Sequence, residues 1–245
     1  MLKITNFSKS YNAKDFAVKD LNLTVNPGEI VAFIGHNGAG KTTTLKAICG
    51  LINFDDGEIL VDGVNIVTNP LKAKKLLAYL PDNPDIYDHL KGITFLNFVA
   101  DAFGVSTAKR QEIITKYATL FNIITNLHEP IKTYSHGMKQ KLAIISNLIH
   151  EPKLFLMDEP FVGLDPKSSH DFKLILKELT NNGAAILYST HVLEVAEKLA
   201  THVAIIHKGQ ILKYGKINEI LGNKSLENMF LELAEEKTEN IDKGN

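Results

Sequence analysis

Apolar and polar residues alternate along Leu2-Lys3-Ile4-Thr5-Asn6-Phe7, and the alternation returns in Leu21-Asn22-Leu23-Thr24-Val25 just before Pro27-Gly28. A period of two that ends on a turn signal is the pattern of antiparallel strands with one face on a core. Residues 29–34 (EIVAFI) form an unbroken, branched run, which predicts a strand buried on both faces. Residues 43–48 read as a helix stopped by Gly50, and residues 57–63 (GEILVDG) as a further hairpin strand. From about Thr94 to His150 the spacing becomes helical, with Phe95, Phe98, Val99 and Ala102 on one predicted face. Strands and helices then alternate: strand 153–157, helix 168–179, strand 184–189, helix 192–200, strand 203–207. Leu226, Met229, Phe230 and Leu233 are spaced for an amphipathic helix that frays into a charged tail.

The expected fold class is therefore α/β, with a mostly parallel wound sheet, an N-terminal antiparallel β subdomain and an inserted α-helical lobe. One domain is expected, with its core in residues 1–90 and 151–220, the lobe at about 91–150 and a C-terminal helix and tail at 221–245. A chain of 245 residues is long enough to bury a full core of this kind. In such sheets, binding residues belong at the carboxyl ends of the strands.

The loop after the EIVAFI strand carries the first chemistry. Gly35-His36-Asn37-Gly38-Ala39-Gly40-Lys41-Thr42 fits GxxxxGK[ST] at every position. Its glycines let successive N–H groups curl around a phosphate chain at the positive end of the following helix. Lys41 can reach the β- and γ-phosphates, and Thr42 offers a hydroxyl to Mg²⁺. This makes the fold a P-loop NTPase core. The second constellation is Leu154-Phe155-Leu156-Met157-Asp158-Glu159, an apolar strand closing on two carboxylates. Burying acids there is costly unless a cation or a reaction needs them. Beside a P-loop, Asp158 fits the acid that holds Mg²⁺ and Glu159 the acid that accepts a proton from an attacking water. A GTPase reading is weakened because Asn223-Lys224-Ser225-Leu226 lacks the Asp that guanine needs.

Composition narrows the partners. A formal charge of −1 and a pI near 6.8 leave no basic footprint, so no nucleic acid is expected. The lone Cys49 excludes an internal disulfide and reads as a small packed hydrophobe in a reducing compartment. No apolar run reaches the ~18 residues of a membrane span and the N-terminus lacks a signal peptide. A cytosolic chain is expected, any membrane work falling to a partner.

Five stretches then carry a family resemblance: GHNGAGKTT at 35–43, YSHGMKQ at 134–140, LFLMDEP at 154–160, GLD at 163–165 and STH at 189–191. In order and type they resemble the Walker A, signature, Walker B, D-loop and H-loop motifs of ABC transporter ATPase subunits. The resemblance implies ATP hydrolysis with Mg²⁺ in a head-to-tail dimer, expected to be a homodimer, docked under separate membrane permease chains at the cytoplasmic face of the membrane. ATP would lie on Gly35, Asn37, Gly38, Ala39, Gly40, Lys41, Thr42 and Thr43 of one subunit. Ser135 and Gly137 of the other would meet the γ-phosphate, given a helix that starts there. Tyr11 would stack on adenine. Glu159 would polarise the attacking water while His191 holds the γ-phosphate and that water in line. Asp165 would touch the partner subunit and link the two sites; the plainer alternative is an N-cap for the helix opened by Pro166.

Two departures stand out. The family's Q-loop presents Gln, whereas Tyr79-Leu80-Pro81-Asp82-Asn83 presents an acid, so Asp82 would hold Mg²⁺ or its water. The signature has His136 and Met138 where Gly and Gln are usual. This SHGMKQ form is similar to a subset of bacterial exporter ATPases. The loop 81–90, with Pro84, Ile86 and Tyr87 expected at its surface, is the expected permease contact. The alternatives are an ABC ATPase of translation or DNA repair, which would show tandem domains, heptad insertions or a basic surface, and a non-hydrolysing regulatory subunit, against which Glu159 and His191 both argue.

Overall fold

The computed structural model describes residues 1–12, 15–84, 86–222, 224–230 and 232. β1 (Leu2–Ser10) and β2 (Phe16–Val25) form the antiparallel pair predicted by the alternation, with Leu2 opposite Val25 and Ile4 opposite Leu23. β3 (Ile30–Ile34) runs into the P-loop and α1 (Lys41–Ile48), which ends at Cys49 before Gly50 turns left-handed, at φ 63°. β4 (Asp56–Val61) pairs with β1 and folds back into the short β5 (Val64–Asn65). α2 (Pro70–Lys74) and β6 (Leu77–Leu80) follow, neither of them predicted from the pattern. The helical lobe is α3 (Gly92–Ala102), α4 (Thr107–Leu120) and α5 (His136–Leu148). β7 (Leu154–Asp158), α6 (Pro166–Asn181), β8 (Ala185–Thr190), α7 (Leu193–Leu199) and β9 (His202–His207) restore the strand–helix alternation. β10 (Gln210–Lys216), an unpredicted edge strand, leads into α8 (Ile217–Leu221).

Two sheets result. The first is antiparallel, in the order β2-β1-β4-β5; the second runs β10-β9-β3-β8-β7-β6 and is parallel except for β10. Because side chains alternate across a strand, the parallel sheet buries two separate faces. Val31 and Phe33 of β3, Leu154 and Leu156 of β7, and Leu187 of β8 join a core shared with α1 and the antiparallel sheet. Their neighbours Ala32, Ile34, Phe155, Met157, Ile186 and Tyr188 face the other way, into the core of the helical lobe and α6. Burying a single Phe or Leu of this kind stabilises by about 1.5–3 kcal/mol, so both layers are pinned to one sheet.

Two expectations need correction, and a third can be followed only in part. On α3 the stripe that enters the core is Gly92, Leu96 and Ala100, whereas Phe98 and Ala102 are exposed and Phe95 and Val99 only half-buried. The reason is close approach: a Cβ on Gly92 would lie 2.4 Å from the Tyr134 hydroxyl oxygen, so the smallest residue sets which face packs. Pro84 is buried, Ile86 is buried in the lobe-side core, and of the three only Tyr87 is exposed, so the 81–90 loop offers less apolar surface than expected. In the C-terminal segment, Leu226 and Met229 are buried and residues 226–230 are helical; Leu233 and the tail after it lie outside the described residues.

Candidate functional site

Parallel pairing brings four carboxyl strand ends to one edge. Ile34 lies opposite Thr190, Asp158 opposite Ser189, and Leu80 opposite Met157, so the loops after β3, β6, β7 and β8 open side by side. Every motif that follows one of those strands is therefore delivered to the same rim, as expected for open parallel sheets.

The P-loop is held open by the absence of side chains. A Cβ on Gly35 would sit 2.4 Å from the Ile206 carbonyl oxygen, and Gly40, at φ 106°, would place one 2.7 Å from the Ala17 carbonyl oxygen. Neither position has room for alanine, and the second also lies in the region that favours glycine. Gly40 then acts as the N-cap of α1, whose first-turn N–H groups face the loop. The Lys41 ammonium is buried and donates to the carbonyls of Gly35 (2.6 Å) and His36 (3.1 Å). Burial lowers its pKa below the ordinary lysine value, and the nearby charges of Glu159 and Asp158 act in the opposite sense.

The carboxylates meet the P-loop at this rim. Thr42 Oγ1 donates to Asp158 Oδ2 at 2.6 Å, while Ser189 Oγ donates to Asp158 Oδ1. The same Ser189 oxygen accepts the Glu159 N–H at 3.1 Å, so one hydroxyl orients both acids. Glu159 sits at φ 47°, a left-handed conformation that costs a non-glycine residue about 1–3 kcal/mol and tends to be kept at functional positions. His191 Nδ1 lies 2.9 Å from Glu159 Oε1, which couples the end of β8 to the end of β7.

A cavity of about 230 Å³ is lined by Ala17, Asn37, Gly38, Ala39, Gly40, Lys41, Thr42, Thr43, Asp82, Asp158 and Glu159. Asp82 does reach this rim, and its Oδ1 accepts the N–H of Asn83 at 2.8 Å. A second cavity, of about 390 Å³, adjoins it through Asn37 and Glu159 and is lined also by Gly35, His36, His191, Leu193 and Phe230. Tyr11 is exposed, its hydroxyl 3.4 Å from Thr43 Oγ1, and the Lys9 ammonium lies over its ring at 5.5 Å from the centroid. The donor set also suits Mg²⁺: Thr42 and Asp158 supply two hard oxygens side by side. That matches an ion that keeps waters and takes phosphate oxygens.

Ser135, Gly137 and Asp165 line neither cavity. Ser135 is the N-cap of α5, its Oγ accepting the Met138 N–H at 3.3 Å, so the helix start expected there exists. A Cβ on Gly137 would lie 2.8 Å from the Gly163 carbonyl oxygen, and the same glycine of the D-loop is packed against the His136 ring. Asp165 caps α6, accepting from Ser168 N–H (2.8 Å) and Ser168 Oγ (2.7 Å), and pairs with Lys141 of α5 at 2.8 Å. The Lys141 contact and the Ser168 donors hold its carboxyl well below the usual carboxylate range. The alternative reading of Asp165 as an N-cap is thus what its local geometry shows.

The motifs missed Ala17, which faces the P-loop from β2, and the double role of Ser189, whose only signal was its place in the STH stretch. They also missed Phe230, read only as part of a tail helix, whose ring centroid is 4.8 Å from that of His36.

A family model described as ABC transporter matches residues 18–162. The chain is 30% identical over 241 residues to the ABC-type transporter ATP-binding protein EcsA of Bacillus subtilis (strain 168), covering 96% of this chain and 97% of that one. It is 31% identical over 233 residues to the ABC transporter ATP-binding protein NatA of the same organism, covering 94% and 95%. It is also 32% identical over 215 residues to the linearmycin resistance ATP-binding protein LnrL, again of Bacillus subtilis, covering 88% and 69%. Among solved structures, an ATP binding subunit of an ABC transporter superposes with a TM-score of 0.92 at 33% identity, covering 96% of this chain and 99% of that one. The ATP-binding cassette MJ0796, in a dimeric post-hydrolysis state bound to ADP and Pi, reaches 0.80 at 22% identity over 89% and 99%, a likeness of fold alone.

Proposed function

Because the chain belongs to the ABC transporter family, as an ATP-binding subunit of its ATPases, we propose that it powers an exporter by hydrolysing ATP between two copies of itself beneath separate membrane permease chains. The observation that carries the catalytic part is the convergence of Lys41, Thr42, Asp158, Glu159 and His191 on one rim. Lys41 leaves its two carbonyl partners for the β- and γ-phosphates, a move its buried, desolvated position favours. Glu159 draws a proton from the water that attacks the γ-phosphate, and His191, anchored on Glu159, keeps that water in line. Thr42, Asp158 and Asp82 are the residues that would hold Mg²⁺, which neutralises charge developing on the phosphate oxygens when bound. Tyr11 stacks on the base, and Gly35, Asn37, Gly38, Ala39, Gly40 and Thr43 cradle the phosphates. Ser135 and Gly137 serve the partner copy's nucleotide, and Asp165 links the two sites.

Residues 1–90 and 151–220 act as the ATP-binding core and 91–150 as the signature lobe. Export is supported by the SHGMKQ form of the signature and by a relative named for linearmycin resistance. No helix among the described residues is long and apolar enough to cross a membrane, which suits a peripheral subunit at the cytoplasmic face. The test is Glu159→Gln. It keeps size and removes the base, so ATP binding persists while hydrolysis falls by ~10²–10⁴ and an ATP-bound dimer accumulates on gel filtration. Full activity in that variant would overturn the assignment of the base. Co-purification with a polytopic membrane chain tests the permease, and its absence in the native membrane would favour a non-transport role.

A further inference from the structure

The second cavity has one wall that belongs to no nucleotide motif. Its lining joins Glu159 and His191 to His36 of the P-loop and to Phe230, which comes from the C-terminal segment. That segment is seated firmly. Leu226 and Met229 are buried in the lobe-side core, and the Leu226 N–H donates to Glu197 on α7. α7 begins two residues after His191. At its other end the segment sets the Phe230 ring on the His36 imidazole, at 4.8 Å between centroids and 55° between planes, and His207 meets that imidazole from another side at 6.3 Å. His36 in turn contributes the carbonyl that accepts from both Lys41 and the Ala39 N–H.

We propose that Phe230 is a positioning residue for hydrolysis: by packing on His36 while its segment is tied to α7, it holds the P-loop and the His191 loop at a fixed separation across the chamber that contains Glu159. The proposal rests on the ATPase reading above and deepens it. The physical reason is that the attacking water has to sit between groups carried by two different loops. A misplacement of about 1 Å between them costs up to about 10²-fold in rate without a matching loss of binding. An aromatic clamp at the base of both loops limits that misplacement.

The experiment uses the full chain with Phe230→Ala, Phe230→Tyr, His36→Ala and the Phe230→Ala/His36→Ala pair, measuring kcat and KM for ATP, nucleotide affinity and Tm. Phe230→Ala is expected to lower kcat by about 10-fold while KM and ATP affinity move less than about threefold. Phe230→Tyr, which keeps the ring, restores most of the rate. If Phe230 acts through His36, the double variant loses no more than the worse single one. The ring contact has its own readout: the imidazole C–H resonances of His36 lose their ring-current shift in Phe230→Ala and keep it in Phe230→Tyr. Wild-type kcat in Phe230→Ala would overturn the proposal, as would additive losses in the double variant, or losses of affinity and Tm that account for the whole rate change. Glu159→Gln, run in parallel, separates the two failures: if it stays active the ATPase assignment of Glu159 falls, whereas an inactive Glu159→Gln beside a fully active Phe230→Ala removes only the role of Phe230.

Discussion

The rim at the strand ends and the tip of the helical lobe carry equally ordered motifs, yet only the first closes on itself. At the rim, Thr42, Asp158, Glu159, Ser189 and His191 are linked within hydrogen-bond reach across the ends of three strands, with Lys41 seated on the P-loop carbonyls beside them. At the lobe tip, Ser135 and Gly137 are presented on a properly capped helix and braced on Gly163, but they line neither of the two rim cavities. The difference teaches that the lobe tip, a helix start that lines neither rim cavity, fits the proposed role of serving a second copy's nucleotide. An isologous, two-fold arrangement would let each copy lend its lobe tip to the other's rim.

The largest effect available breaks this comparison directly. Lys41→Ala removes the buried ammonium that sits on the loop carbonyls, and ATP binding by the rim should be lost in a nucleotide titration. Gly137→Ala forces a Cβ to within 2.8 Å of the Gly163 oxygen and should abolish hydrolysis while leaving binding at the rim. Each variant alone is inactive. Mixed in equal amounts, half of the dimers pair one chain of each kind and one of their two sites is intact, so about a quarter of wild-type activity should return. If rim and lobe tip of the same chain worked together, mixing would restore nothing.

A middle-sized effect sharpens the rim itself. Asp82 reaches the same cavity as Thr42 and Asp158, so Asp82→Ala should raise the Mg²⁺ concentration needed for half-maximal hydrolysis by several-fold, on the order of the 10-fold loss typical when a support of a metal site is removed. Asp82→Gln should retain part of the activity. An unchanged Mg²⁺ titration for Asp82→Ala would reduce this acid to a spacer.

How much of this was legible follows from what each part depends on. β3, β7 and β8 could be read because a strand buried on both faces has to be mostly apolar, as IVAFI and the LFLM that precedes Asp158 are. β6 has only four residues and β10 is a half-exposed edge, so neither leaves a run that a pattern can register. On α3 the large Phe98 dominated the apparent apolar face, but helix approach at Gly92 decided the real one. Ile86 was placed outside because loop residues usually are; the lobe-side core had room for it. The rim residues could be picked out because each sits in a short motif of fixed residue types directly after a readable strand. The Phe230–His36 contact was not, because nothing in local spacing encodes which loop the end of a chain will reach.

The smallest effect concerns Asp165, where the comparison between rim and lobe tip is joined by one carboxylate. Asp165 caps α6 through Ser168 and pairs with Lys141 of the signature helix, so it holds the D-loop against the lobe. Those contacts depress its pKa in the folded chain below the ordinary unfolded value of about 3.9. The sign of the linkage follows: the stabilisation is fully present above that unfolded value and is lost as the pH falls through the lower folded value. The carboxylate is half-exposed, so solvent screens most of its pairing energy. Asp165→Asn should therefore lower Tm by only about 1–3 °C at neutral pH, and the gap to wild type should narrow once the pH drops below about 4. A gap that stays constant down to pH 2 would assign the loss to the cap geometry rather than to the charge. A normal Tm combined with weakened activity in the mixed-dimer experiment would instead place the main role of Asp165 across the subunit boundary.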